Sequence, residues 1–148
     1  MKNDILTRDI NESDYEQVLR LFHEFSAFEQ LPEKMINSSE KMKKEKEFFH
    51  CLVAETANKK IIGYASYFFC YYTWIGKSLY LDDLFVRSEY RGKGIGTDLI
   101  HKVIEKAKET GCHKVRWQVS KWNKPAIDFY TNIGAEINDV NLNCDLVL

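Results

Sequence analysis

The segment Leu79-Tyr-Leu-Asp-Asp-Leu-Phe-Val86, then Arg91-Gly-Lys-Gly-Ile-Gly96, then an amphipathic run to Thr110 constrains this chain most. An apolar stretch of strand character feeds a glycine-dense turn, and the turn opens onto a helix. Glycines at three alternate positions cost more chain entropy than a plain turn requires. Without Cβ atoms their N–H groups can close around an anion, helped by the unpaired amides and positive dipole end of the helix. Such a device suits a phosphate or pyrophosphate. Two familiar phosphate loops do not fit. A P-loop needs Gly-Lys-Ser/Thr, whereas Lys93 is followed by Gly94. A dinucleotide fingerprint needs its third glycine where Thr97 stands, and an acidic ribose ligand near the position of Lys114.

The 148 residues are expected to form one domain over 1–148, large enough to bury roughly 68–70% of the unfolded surface. A net charge of −1 offers no electrostatic case for nucleic acid. Lys2-Asn-Asp is not followed by an apolar signal region, and Ile61 to Trp74 is too short for a bilayer, so no membrane role and a cytoplasmic location are expected. Cys51, Cys70, Cys112 and Cys144 lack a paired spacing and read as reduced, mostly buried thiols. The scattered His23, His50, His101 and His113 suggest no metal site.

Periodicity predicts a strand over Asp4–Ile10 and a helix opened by a Ser13–Glu16 capping box, with Tyr15, Val18, Leu19, Phe22 and Phe25 on one stripe. A charged helix over Glu40–Phe49 begins at Ser39. Cys51–Glu55 and Ile61–Tyr72 read as paired strands around Ala57-Asn-Lys-Lys60, and Leu79–Val86 as the next strand. The aromatics from Tyr64 to Trp74 read mostly as core and interface. The helix Gly94–Thr110 buries Ile95, Leu99, Ile100, Val103, Ile104 and Ala107 and stops at Gly111. A strand over His113–Val119 and a helix from Asn123-Lys-Pro125 to Gly134 follow, with a last strand within Asn141–Leu148. The order β-α-α-β-β-β-α-β-α-β predicts an α/β fold, a mixed sheet flanked by helices on both faces.

With those elements placed, four motifs form one pattern: Tyr71-Tyr-Thr-Trp-Ile-Gly-Lys77, Leu79 to Val86, Tyr90 to Gly96, and Trp122-Asn-Lys-Pro-Ala-Ile-Asp-Phe-Tyr-Thr-Asn-Ile-Gly-Ala135. From about Ile5 to Ala135 the chain resembles the GNAT acetyltransferases, in particular their diamine branch, which includes the spermidine/spermine and thialysine enzymes. The resemblance implies the GNAT fold and acetyl-CoA as co-substrate. Backbone groups of Leu84, Phe85 and Val86 would align the pantetheine arm, and Arg91, Gly92, Lys93, Gly94, Ile95 and Gly96 would hold the pyrophosphate. Asn123 and Ala126 would contact the coenzyme, with Tyr130 at its sulfur. Asn123 and Tyr130 are seven residues apart, which puts them on one helical face.

The implied reaction is direct acetyl transfer to a primary amine of a small molecule. An alkyl ammonium with a pKa near 10.4 is neutral in only about one molecule in 2,500 at pH 7, so a proton exit is required. Asp82 aligns with the family's proposed base, acting through water, and Asp83 with an aspartate that serves the substrate cation. Strand alternation would let only one of the two face a given pocket. Phe28-Glu29 and Trp74 match positions that meet the acceptor. Tyr72 stands where the spermidine enzyme has an aspartate, and Lys121 where it has a glutamate, which favours a diamine, thialysine or lysine-like compound over a long polyamine. Family likeness also suggests a homodimer, with Tyr67–Tyr72 at its contact. Two other readings are a protein-lysine acetyltransferase and an idle domain that only binds acyl-CoA.

Overall fold

The computed structural model describes residues 4–148. Strand β1 (Ile5–Asp9) meets helix α3 (Ile95–Glu109) where Thr7 Oγ1 donates to Asp98 Oδ2 at 2.7 Å. The adjacent Arg8 points the other way, toward the entry of helix α1 (Tyr15–Phe28). Its guanidinium donates to Asp14 Oδ2 and to Glu55 Oε2, each at 2.7 Å. Alternation along one strand thus separates the two faces of the sheet, with α1 on one and α3 on the other. The Arg8 guanidinium holds both partner carboxyls below the usual carboxylate range.

The sheet runs β1, β2 (His50–Thr56), β3 (Ile61–Tyr72), β4 (Gly76–Val86), β5 (Val115–Arg116) in space. The first three pairings are antiparallel and β4–β5 is parallel, as a return through α3 requires. Val18 and Leu21 of α1 pack on Cys51, Val53, Ile61, Tyr64 and Phe85. On the other face α3 buries Ile95, Leu99, Ile100, Val103 and Ala107, while Ile104 is only half-buried. Each such aliphatic side chain contributes about 1.5–3 kcal/mol by leaving water.

The structure corrects several sequence expectations. The chain enters α1 through a short 3-10 turn over Glu12–Asp14, and the Asp14 carboxylate accepts from the Asn11 amide at 2.7 Å, so the cap lies ahead of Ser13. Helix α2 (Ser39–Lys44) is capped by Ser38 Oγ and gives way to a 3-10 turn at Lys46–Phe48, before the predicted end at Phe49. Strand β5 keeps two residues of the predicted His113–Val119. No strand forms within Asn141–Leu148, where the alternation of Val140, Leu142 and Leu146 stays exposed. Of the cysteines only Cys51 is buried, and Cys144 is exposed.

Two compact units make up the chain, one ending at Trp117 and one spanning Gln118–Leu148. The second holds helix α4 (Lys124–Asn132), opened by Asn123 Oδ1 accepting from the Ala126 amide at 3.4 Å. The left-handed Gly134 ends it, and the Ala135 amide returns to the Tyr130 carbonyl. None of the described helices is long and apolar enough to cross a membrane.

Candidate active site

Two local features of β4 build the site. First, the β3–β4 register pairs Ser66 with Asp83 but Tyr67 with Leu81, leaving Asp82 as an extra residue in a bulge. Second, the parallel ladder to β5 contains only Leu79↔Val115 and Tyr80↔Arg116. Among the described residues no strand pairs with that edge of β4 from Leu81 to Val86, so its backbone groups short of the Val86 carbonyl are open to an extended ligand.

The bulge removes the strict alternation on which the expectation of opposite faces for Asp82 and Asp83 rested. Tyr64, packed at 5.0 Å on Phe22 of α1, donates its hydroxyl to Asp83 Oδ2 at 2.8 Å. Burial pushes the Asp83 carboxyl up to about 6, and the charge of Asp82 adds to the shift, with a smaller push from Glu29. The Tyr64 hydrogen bond works against that rise. Asp82 remains open to solvent, yet the protein around it still raises its carboxyl above the usual range through lost hydration. Two carboxyls of raised pKa therefore act on one another and on the buried Tyr64 hydroxyl, whose own pKa burial raises.

The end of α1 joins this cluster. Phe25 stacks on Phe85 at 5.2 Å, and the Arg91 guanidinium lies over Phe28 at 4.9 Å and over Phe85 at 5.5 Å. Arg91 Nε donates to the Val86 carbonyl at 2.7 Å, so the head of the glycine loop is tied to the last residue of β4. Phe28, Glu29, Asp83, Phe85 and Arg91, distant in sequence, come together here. Leu84 is half-buried and Val86 buried on the same strand.

Beyond Arg91 the loop adopts the geometry an anion cradle needs. Gly92 and Gly94 have φ of 75° and 81°, a region that L side chains rarely enter. Gly94 caps α3, and the first helical bond runs from the Asp98 amide to the Gly94 carbonyl at 3.0 Å. The amides of Ile95, Gly96 and Thr97 precede that bond and have no intrahelical acceptor. Lys93 is exposed, its Nζ over the Tyr90 ring at 5.5 Å. Left-handed glycines, orphan amides and a lysine fit a diphosphate, and the open edge of β4 fits an amide-bearing arm.

Trp74, expected at a pocket wall, is 98% exposed in the turn between β3 and β4. Near the end of β3 Tyr71 is exposed, while Tyr64 and Tyr67 of the same strand are core. In the second unit Tyr130 is buried beside Phe129, with ring centroids 5.4 Å apart, on the face of α4 that begins at Asn123. Ala126 lies between them, half-buried, and Lys121 pairs with Asp139 at 3.6 Å on the surface. Tyr64 escaped sequence reasoning, since only the register makes it a diagonal neighbour of Asp83.

A bulged strand with an open edge, leading through a glycine loop into a helix, is the arrangement of a protein suited to an extended ligand that carries a diphosphate. A family model described as Acetyltransferase (GNAT) family matches residues 12–135, and the chain belongs to that family. It is an N-acetyltransferase. It is similar to a thialysine N-epsilon-acetyltransferase of Sus scrofa, 39% identical over 142 residues, covering 88% of this chain and 84% of the relative. It also resembles spermidine/spermine N(1)-acetyltransferase-like protein 1 of Homo sapiens, at 32% identity over 86% of this chain and 20% of that protein. Among solved structures, an aminoglycoside acetyltransferase from an uncultured soil metagenomic sample superposes with a TM-score of 0.82 at 26% identity, covering 98% of each chain.

Proposed function

We propose that this chain transfers acetyl from acetyl-CoA to the terminal amine of a lysine-like or diamine acceptor, thialysine included. The observation that carries the reading is the pair Asp82–Asp83 at a bulge beside the open edge of β4. Similarity over most of the chain to a thialysine N-epsilon-acetyltransferase supports the acceptor class.

Residues 91–96 would hold the diphosphate through the loop amides, and Leu84, Phe85 and Val86 would pair with the pantetheine arm. Asn123 and Ala126 would add contacts from α4. The co-substrate supplies a thioester whose carbonyl carbon is open to an amine. Asp83, ionised above about pH 6, would draw the acceptor ammonium in, with Phe28 and Glu29 lining its approach. A carboxylate beside an ammonium also favours the charged form, so Asp83 alone opposes deprotonation. Asp82, open to water, would take the proton lost from nitrogen and release it to solvent. As the C–N bond forms and the C–S bond breaks, the Tyr130 hydroxyl would give its proton to the sulfur, and the second proton leaving nitrogen would restore the hydroxyl through water.

The chain would work as a homodimer in the cytoplasm, and the exposed Phe68, Phe69 and Tyr71 of β3 support a contact there. The decisive experiment follows free thiol over a panel of amines for the wild type and Tyr130→Phe. Turnover with lysine-like amines, reduced at least tenfold in the variant with coenzyme affinity kept, is the expected result. Wild-type turnover in the variant would reduce Tyr130 to packing, and activity on peptides alone would favour protein acetylation.

A further inference from the structure

Two cations, Arg116 of β5 and Lys114 just ahead of it, rest on one tyrosine ring. Lys114 Nζ lies 4.2 Å and the Arg116 guanidinium carbon 4.9 Å from the Tyr72 ring centroid. Among the described residues neither makes an ion pair with a carboxylate, although the chain carries 22 acidic residues. The arrangement is built across β4. Tyr72 pairs with Gly76 of β4, and β5 lies on the far side of β4.

This pair stands on the acceptor face. Along β3, Tyr64, Ser66, Phe68, Cys70 and Tyr72 share one side by alternation, and Tyr64 bonds Asp83 there. Phe68 stacks on Tyr80 of β4 at 5.1 Å, so an aromatic floor runs from the carboxylates toward the cations. Arg116 is paired with Tyr80, two residues from Asp82, which puts the Cα atoms of Arg116 and Asp82 roughly 8 Å apart from strand rise and spacing. One end of the floor is anionic and receives an ammonium. The other end is cationic and exposes Arg116 to solvent.

We propose that Lys114 and Arg116, pre-positioned on Tyr72, form a carboxylate subsite, so that the acceptor is an amine bearing an acid group and not a polycation. The proposal rests on the acetyltransferase reading above and sharpens it to a substrate class. Holding both side chains on the ring limits the rotamer freedom lost when an anion arrives, and a guanidinium offers paired donors that match a carboxylate. A second ammonium at this end would meet like charges without compensation.

The test compares matched acceptors that differ in the acid group: L-lysine with cadaverine, L-ornithine with putrescine, and lysylglycine with lysylglycinamide, plus spermidine. A charge-assisted contact of this kind is worth roughly tenfold or more in kcat/KM. The carboxylate-bearing member is expected to lead by at least tenfold in one or more pairs, with spermidine the poorest acceptor. In the double variant Lys114→Ala/Arg116→Ala that preference falls at least tenfold, chiefly through KM. Tyr72→Asp, which removes the platform and adds an anion, is expected to shift preference toward spermidine. Because each readout is a ratio within one protein, a loss of folded enzyme does not imitate it. Equal or reversed preference in all three pairs, or a preference unchanged in both variants, overturns the subsite while leaving the acetyltransferase reading intact. No turnover with any amine overturns both.

Discussion

Asp83→Asn should make the protein more stable at neutral pH. The Asp83 carboxyl sits at about 6 against an ordinary 3.8. That rise of about two units corresponds to about 3 kcal/mol at 1.36 kcal/mol per unit. Because the folded-state value is raised, the native protein binds more protons than the unfolded chain between about pH 4 and pH 6. Its contribution is therefore fully present below about pH 4, falls as pH climbs through that window, and stays lost above it. Asparagine removes the charge and can still accept the Tyr64 hydroxyl, which now spans 2.8 Å. Wild type and variant should unfold alike near pH 4, and by pH 8 the variant should lead by about 3 kcal/mol, or roughly 6–12 °C for a chain of this length. Asp14 and Glu55, whose values are lowered by Arg8, act in the opposite direction with pH, but both proteins share them and the difference cancels. Thermal melts of the ligand-free protein at pH 4, 6 and 8 measure the gap. A gap that does not widen between pH 4 and pH 8 would refute burial and the Asp82 charge as the source of the shift.

Gly96→Ala places a methyl group 3.9 Å from Val86 Cγ2, an ordinary contact, so the fold should gain about 0.5–1 kcal/mol while coenzyme A affinity drops at least fivefold. Calorimetry showing undiminished affinity would remove the Gly96 amide from the diphosphate cradle. Asp82→Asn should move the acidic limb of the kcat/KM profile to higher pH, and an unchanged profile would end its role in proton exit. Arg8→Met leaves the Asp14 and Glu55 carboxylates without the guanidinium that satisfies them, and should cost about 3–5 kcal/mol in denaturant unfolding. A loss under 1 kcal/mol would show that water replaces the arginine.

Much of the site could be read from residue order. The glycine loop is local, since left-handed φ at Gly92 and Gly94 and the amides that follow depend on residues next to one another. Helix α3 was legible from its apolar spacing, and β3 from its continuous apolar run, which matched Ile61–Tyr72. Helix entries were less legible. Asn11 and Ser13 are both good caps, and the choice between them fell to the Asp14 carboxylate, which also binds Arg8. Trp74 carried an aromatic signal that suits a pocket wall, but a turn residue can be placed only when the hairpin is built.

What the sequence by itself determined is the family, the glycine loop and the succession of most strands and helices, because each is written in residues that stand next to one another in the chain. Only the tertiary structure decided that a bulge frees Asp82 from strict alternation, that Tyr64 restrains Asp83, and that Lys114 and Arg116 share the ring of Tyr72. The physical reason is register. A shift of one residue between strands exchanges the faces of every side chain beyond it, and that choice is made by packing between segments distant in sequence.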